Sequence, residues 1–282
     1  MIYVIDLFCG AGGFSEGASR AGAVVILAVD CWKAALDVHA ANHGDCEHWN
    51  EPLGGDPAQF VARLRRVVSR RVPCGGLVHL HGSPPCQNLS SVNCMRNERE
   101  GMRLVEWTFA VGDLLQPDSF TVEQVPNAAL LREYGHLPHS VYAMSEHGIP
   151  QSRRRVIFGN APQLPRSSGA DIGTILRRCD AAGCSAFAAG HRCRGAYVTR
   201  RLQDVSYTVT RNFPVMFDDG RMTKLPLTVM RELQTFPPSY KWHGSIGQQR
   251  IMIANALPPK FARQLVRHLE GTSGALATCS DS

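Results

Sequence analysis

Between residues 3 and 158, short apolar runs alternate with helical stretches. This alternation restricts the chain to an α/β fold built on a mostly parallel sheet. The run 3–8 reads as a buried strand ending in a glycine-rich turn, Cys9-Gly10-Ala11-Gly12-Gly13, with a helix over 15–20 behind it. A second run, 23–29, ends at Asp30, and a helix follows through Asn42. Residues 58–71 read as a basic helix, 76–81 as a strand entering Gly82-Ser83-Pro84-Pro85, and 103–115 as a helix. Further strands are expected at 119–122, ending at Glu123, and at 154–158. Beyond Asn160 the period dissolves: 161–200 mix Pro, Gly, Ser, Cys and Arg. Regular structure returns near 228–233, 260–269 reads as the last helix, and the small, polar tail 271–282 reads as frayed.

The 282 residues suffice for one large domain and a small companion. The chain is 44% hydrophobic and 19% charged, as expected of a folded soluble protein. No apolar run approaches the ~20 residues that cross a membrane, which argues against a membrane partner. Asp6 comes too early for a secretory core, so the chain reads as cytoplasmic, or nuclear from a eukaryotic or viral source. Its ten cysteines are scattered, and free thiols are the default reading, with one of them a catalytic candidate. Charge is uneven. Residues 151–211 hold eleven Arg, no Lys and only Asp171, Asp180 and Asp204 as acids. Such a segment fits a polyanion. A solvated basic surface, or a G+C-rich genome, is the alternative, although codon bias explains Arg over Lys and not the clustering.

Four segments carry chemistry. The turn 9–13 lets the backbone approach a ligand, and Asp30 at the end of the next strand could hold a ribose. A structural turn and a surface acid would look the same. Pro84-Pro85-Cys86-Gln87 presents a cysteine on a rigid loop at a strand end, a candidate nucleophile or an inert thiol. Glu123, before Gln124-Val125-Pro126-Asn127, suits an acid in a cleft or a plain loop carboxylate. In Gln151-Ser152-Arg153-Arg154-Arg155, a strand puts Arg153 and Arg155 on one face and Arg154 on the other, either at a reacting centre or along a basic edge.

In order and combination these segments resemble the DNA (cytosine-5) methyltransferase family. Pro85-Cys86-Gln87 is similar to its nucleophile motif, and Gln151-x-Arg153-x-Arg155 to its later Gln-x-Arg-x-Arg motif. Arg231 to Pro237 resembles the segment after the recognition region, and Ile253 to Pro259 the last motif. The family usually has Glu-Asn-Val where this chain has Glu123-Gln124-Val125, and Gly where it has Ala254.

The resemblance implies a Rossmann-like S-adenosylmethionine-dependent methyltransferase sheet with a small irregular target-recognition domain. The catalytic and cofactor domain would be 1–160, completed by 246–270, with 161–245 for recognition. Cys86 would attack C6 of a flipped-out cytosine in double-stranded DNA. Glu123 would contact N3 and the amino group, Arg155 O2, and Arg153 the adjoining phosphate, with Gln151 in the same catalytic set. S-adenosylmethionine would lie against Phe8, Gly10, Ala11, Gly12, Gly13, Asp30, Pro84 and Asn255. Asn50, or Asp56, would take the adenine-binding place. Arg153, Arg154, Arg155, Arg177, Arg178, Arg200 and Arg201 are the expected DNA contacts. The enzyme would act as a monomer, of the restriction-modification type. A tRNA methyltransferase and an inactive DNA-binding relative are the alternatives. Cys179, Cys184, His191 and Cys193 form a Cys3His set but lack the usual Cys-x2-Cys pair, so no metal is assigned to them.

Overall fold

A parallel strand with apolar residues on both faces needs helices above and below it, and the chain supplies them in sequence. The computed structural model describes residues 1–85, 98–181, 184–193, 196–212, 214–217 and 221–269. The first half runs β1 (Ile2–Leu7), α1 (Gly13–Ala21), β2 (Val24–Asp30), α2 (Lys33–Asn42), β3 (Glu47–Asn50), α3 (Pro57–Arg71), β4 (Leu77–Gly82) and α4 (Glu98–Leu115). It continues through β5 (Ser119–Gln124), α5 (Ala128–Tyr134), β6 (His139–Ala143) and β7 (Arg154–Gly159). The strands form one sheet in the order β3-β2-β1-β4-β5-β7-β6. β7 runs antiparallel to both its neighbours, and the other pairings are parallel.

Strand order reverses between β1 and β4. The crevice beyond their carboxyl ends is where such sheets bind ligands, and it lies between the glycine turn and the Pro84 loop. On one face, Phe14 and Ala18 of α1 and Leu36 of α2 pack with Val4, Ala28 and Ile157. On the other, Phe60 and Leu64 of α3 and Trp107 and Val111 of α4 cover Ile5, Leu7, Ile26 and Leu80. Asp56 caps α3 through the Ala58 amide at 2.8 Å.

The remaining elements are α6 (Ile172–Arg178), β8 (Cys184–Cys193), β9 (Ala196–Arg201), β10 (Pro214–Phe217), β11 (Met222–Lys224), α7 (Leu227–Leu233), α8 (Ile246–Asn255) and α9 (Pro259–Leu269). Strands β8–β11 form a second, antiparallel sheet in the order β11-β10-β8-β9. The stretch that reads as aperiodic therefore carries α6, β8 and β9. The alternation in β8 is masked by alanine and glycine in its Ser-Ala-Phe-Ala-Ala-Gly core. Ile172, Ile175, Phe187, Val229, Met230 and Leu233 make a core of their own, joined by Ile253 of α8. α9 then returns to the first sheet and lies on α1. The approach is close enough that a methyl group on Gly17 would stand 2.5 Å from the Pro259 carbonyl oxygen. Among the described residues no helix is long and apolar enough to cross a membrane.

Candidate active site

The turn after β1 is held open by its own backbone. Phe8 takes a positive φ of 58°, and Gly10 and Gly12 follow at 52° and 89°. A side chain rarely tolerates this conformation, so the turn is strained at Phe8. Asp30, at the end of β2, fixes the turn from beside it: one carboxylate oxygen accepts from the Gly10 amide at 2.8 Å and the other from the Trp32 amide at 2.7 Å. Burial raises the Asp30 pKa, and these amides oppose the shift. Gly13 packs so tightly that a methyl there would lie 2.3 Å from the Leu257 carbonyl oxygen. Ala11 is buried, and its carbonyl accepts from the Tyr240 hydroxyl at 2.5 Å.

Asn50 sits beside Asp30 in the β2–β3 register and donates its side-chain amide to the Asp30 carbonyl at 3.0 Å. Its amide oxygen remains an acceptor suited to an exocyclic amino group. Asp56, the alternative for this place, is occupied as the α3 cap. The set thus fits S-adenosylmethionine: open space beside Gly10 where a side chain would stand, a carboxylate for ribose hydroxyls, an amide acceptor for adenine, and the Phe8 ring, itself edge-on to Trp107.

At the end of β5, Glu123 lies 2.5 Å from the Arg155 Nε, with both side chains only 10% exposed. Arg155 also donates to the Arg154 carbonyl at 2.7 Å. Next to the pair, Gln124 is buried; its amide donates to the Pro84 carbonyl at 3.0 Å, and its oxygen accepts from the Val125 amide at 2.8 Å. The longer side chain in place of Asn therefore ties the β5 turn to the loop that leads to Cys86. Cys86 itself, like the tail 271–282, lies outside the described residues. Gln124→Ala would leave the Pro84 carbonyl unsatisfied in a buried site. The expected loss of unfolding free energy is about 1–3 kcal/mol, read by urea titration. A loss below ~0.3 kcal/mol would show the contact to be idle.

Below the Pro84 loop runs a buried polar ladder that the sequence reading missed. His79 bridges the Ser119 and Thr121 hydroxyls at 2.8 and 3.0 Å. His81 bridges the Thr121 and Ser83 hydroxyls at 2.8 and 2.9 Å. The His81 ring stacks on Phe14 with centroids 3.6 Å apart. Burial pushes the His79 pKa down to about 3 and that of His81 well below the usual range.

Two of the expected site residues turn inward. Arg153 is 2% exposed and donates to the Ala254 and Asn255 carbonyls at 3.0 and 3.4 Å. A guanidinium so enclosed fastens the end of α8 to the sheet. Gln151 is fully buried, donating to Leu233 and Gln234 and accepting from the Val209 amide. It is a tie between segments. Gln234 continues that tie to the Ala256 carbonyl at 3.1 Å; its place in the Arg231–Pro237 motif was the signal for it. Asn255 is exposed at the end of α8.

Of the remaining arginines, Arg154, Arg177 and Arg201 are exposed. Arg178 pairs with Glu232 at 3.1 Å, and Arg200 lies over the Tyr207 ring at 4.3 Å. The side chains of His191 and Cys193 lie outside the described residues.

Residues 2–166 match the family described as C-5 cytosine-specific DNA methylase. The chain is 27% identical over 304 residues to the Type II methyltransferase M.HgiDI of Herpetosiphon aurantiacus, covering 94% of this chain and 93% of that one. It is 30% identical over 194 residues to the Type II methyltransferase M.AgeI of Thalassovita gelatinovora, a match spanning 61% of this chain and only 44% of the relative. In fold it is similar to a protein encoded within an E. coli prophage and described as a DNA modification methyltransferase. The TM-score is 0.69 at 18% identity, covering 96% of this chain and 99% of that one.

Proposed function

Since this chain belongs to the C-5 cytosine-specific DNA methylase family, we propose that it methylates C5 of a flipped-out cytosine in duplex DNA, with Cys86 as the covalent nucleophile. The observation that carries the reading is the enclosed Glu123–Arg155 pair, joined through Gln124 to the loop that precedes Cys86.

Cytosine C5 is a weak nucleophile. Bonding of the Cys86 sulfur to C6 moves electron density to C5 and N3. Glu123 holds N3 and the amino group while that charge develops, and Arg155 orients Glu123 and reaches the O2 side. When bound, S-adenosylmethionine supplies an electrophilic methyl group to C5. Loss of the C5 proton and breakage of the sulfur–C6 bond then restore the ring and free Cys86. Phe8, Gly10, Asp30 and Asn50 hold the cofactor, and Tyr240 keeps the glycine turn in shape through Ala11.

Extruding the base costs a few kcal/mol, which phosphate contacts must offset. Arg154, Arg177 and Arg201 are exposed cations available for that task. The second sheet, β8–β11 with α6 and α7, is the proposed recognition body within 161–245, and the Type II relatives favour DNA as the polymer.

The test is transfer of labelled methyl from S-adenosylmethionine to unmodified duplex DNA, with tRNA and Cys86→Ala in parallel. Label on DNA that vanishes in the variant is the expected result. Label on tRNA alone would move the substrate to RNA. No label on either, with DNA binding intact, would leave a binding protein.

A further inference from the structure

Behind the glycine turn lies a second buried polar cluster that the methyl-transfer scheme does not use. His39 of α2, Cys46 before β3 and His48 in β3 present one ligand atom each, all within 4.8 Å of one another. His39 is fully buried and Cys46 is 7% exposed, while His48 is partly exposed at the sheet edge, which leaves an entry path.

The hydrogen bonds fix which ring atom points where. With Asp6 ionised, the Ser15 hydroxyl, 2.6 Å from an Asp6 oxygen, donates to it, since a carboxylate can only accept. Ser15 therefore accepts from His39 Nε2, 2.9 Å away, and Nε2 carries the proton. His39 Nδ1 is left with a lone pair, and it points at His48 Nε2, 2.8 Å away. A histidine held on one nitrogen through a hydroxyl to a buried carboxylate, with its other nitrogen aimed at a second histidine and near a cysteine, has the outer support that metal-ligating histidines carry. A second observation points the same way: the other Asp6 oxygen is buried with no hydrogen-bond partner; burial raises the Asp6 pKa to about 7, and a nearby cation would favour its ionised form.

We propose that His39 Nδ1, Cys46 Sγ and His48 Nε2 bind a zinc ion, a three-ligand centre that joins α2 to β3 behind the cofactor turn. Mixed imidazole and thiolate donors suit zinc. Around a tetrahedral ion with Zn–N near 2.0–2.1 Å, two nitrogens stand roughly 3.3 Å apart. The histidines must therefore part by about 0.5 Å, and small χ rotations bring the sulfur in. Binding displaces the proton between the two rings: it passes from His48 Nε2 to His48 Nδ1 as that ring changes tautomer, and the Cys46 thiol releases one proton to solvent. The fourth position is left to water.

The full chain, purified without added metal, should carry about one equivalent of zinc, by elemental analysis. Cys46→Ser and His48→Ala should each lower this at least tenfold. A chelator should lower the wild-type thermal midpoint and leave that of His48→Ala unchanged. Because a variant could fail to fold, stripped wild type is also titrated with cobalt, where a thiolate-to-metal charge-transfer band is expected at one equivalent. Less than a tenth of an equivalent of zinc together with no cobalt band would overturn the proposal and leave a hydrogen-bonded core cluster. Zinc retained in both folded variants would also overturn it, by placing the metal elsewhere. None of these readouts requires methyl transfer, so they stand apart from the proposed activity.

Discussion

Glu123→Gln is expected to slow methyl transfer by a factor of about 10²–10⁴, the usual contribution of a positioned acid or base, while DNA affinity changes little. Glutamine keeps the size of the side chain and an oxygen facing Arg155. It removes the charge, and with it the ability to hold a proton at N3. The pair is enclosed, each side chain 10% exposed, so the variant also leaves the Arg155 charge without its counter-ion. Removing one partner of a buried pair outright costs about 3–5 kcal/mol. The amide oxygen of Gln can still accept from Arg155, so the loss of stability should be smaller than for Glu123→Ala. Single-turnover rates with DNA and cofactor in excess, beside a denaturant titration of each variant, separate the two effects. A Glu123→Gln rate within threefold of wild type would make Glu123 an anchor for Arg155 and no more.

The second large effect concerns pH. His79 and His81 are fully buried, and burial lowers both pKa values, that of His79 to about 3. In the unfolded chain both titrate near the ordinary value of about 6.5. Below that pH the unfolded state therefore binds protons that the folded state refuses, and stability rises with pH across the window. The contribution is fully present above ~6.5 and is lost progressively as pH falls toward 3. His79 alone should cost about 2 kcal/mol at pH 5, and His81 adds to it in the same direction. A domain has only ~5–15 kcal/mol in total, so acid sensitivity should be evident well above the carboxylate range. Urea midpoints measured from pH 7 to 5 should fall, with net proton uptake on unfolding near pH 5. The buried Asp6 carboxyl, its pKa raised to about 7, works in the opposite sense, so a profile that stays flat in Asp6→Asn as well would mean that the ladder from Ser119 to Ser83 already holds a charged imidazole.

The strand–helix alternation, the glycine turn and the Pro84 loop could be read from the chain because each rests on local chemistry: apolar period, glycine at positive φ, proline before a cysteine. β3 and β6 could not. They are short sheet members, Glu-His-Trp-Asn and His-Ser-Val-Tyr-Ala, whose pairing depends on partners distant in sequence. The same limit governs the site. Glu123 and Asp30 stand at strand ends, where position alone suggests a role. Arg153 and Gln151 sit in a motif that looks like surface chemistry, yet their partners, Ala254 and Leu233, lie some eighty to a hundred residues on. Only the folded chain shows that these two side chains tie segments together. The histidine ladder was unreadable for the same reason: Thr121 lies forty residues beyond His81.

The packing of α9 on α1 has a consequence for biosynthesis. The two helices meet through Gly17 and Ala262, yet α1 leaves the ribosome some 240 residues before its partner does. At ~5–20 residues per second, translation leaves the face of α1 uncovered for roughly 10–50 s. During that interval the Gly17 side of α1 faces solvent or a chaperone. Native closure of this helix layer is therefore a late event, and a nascent chain stalled before Pro259 would present a persistent apolar face to the cell's quality-control machinery.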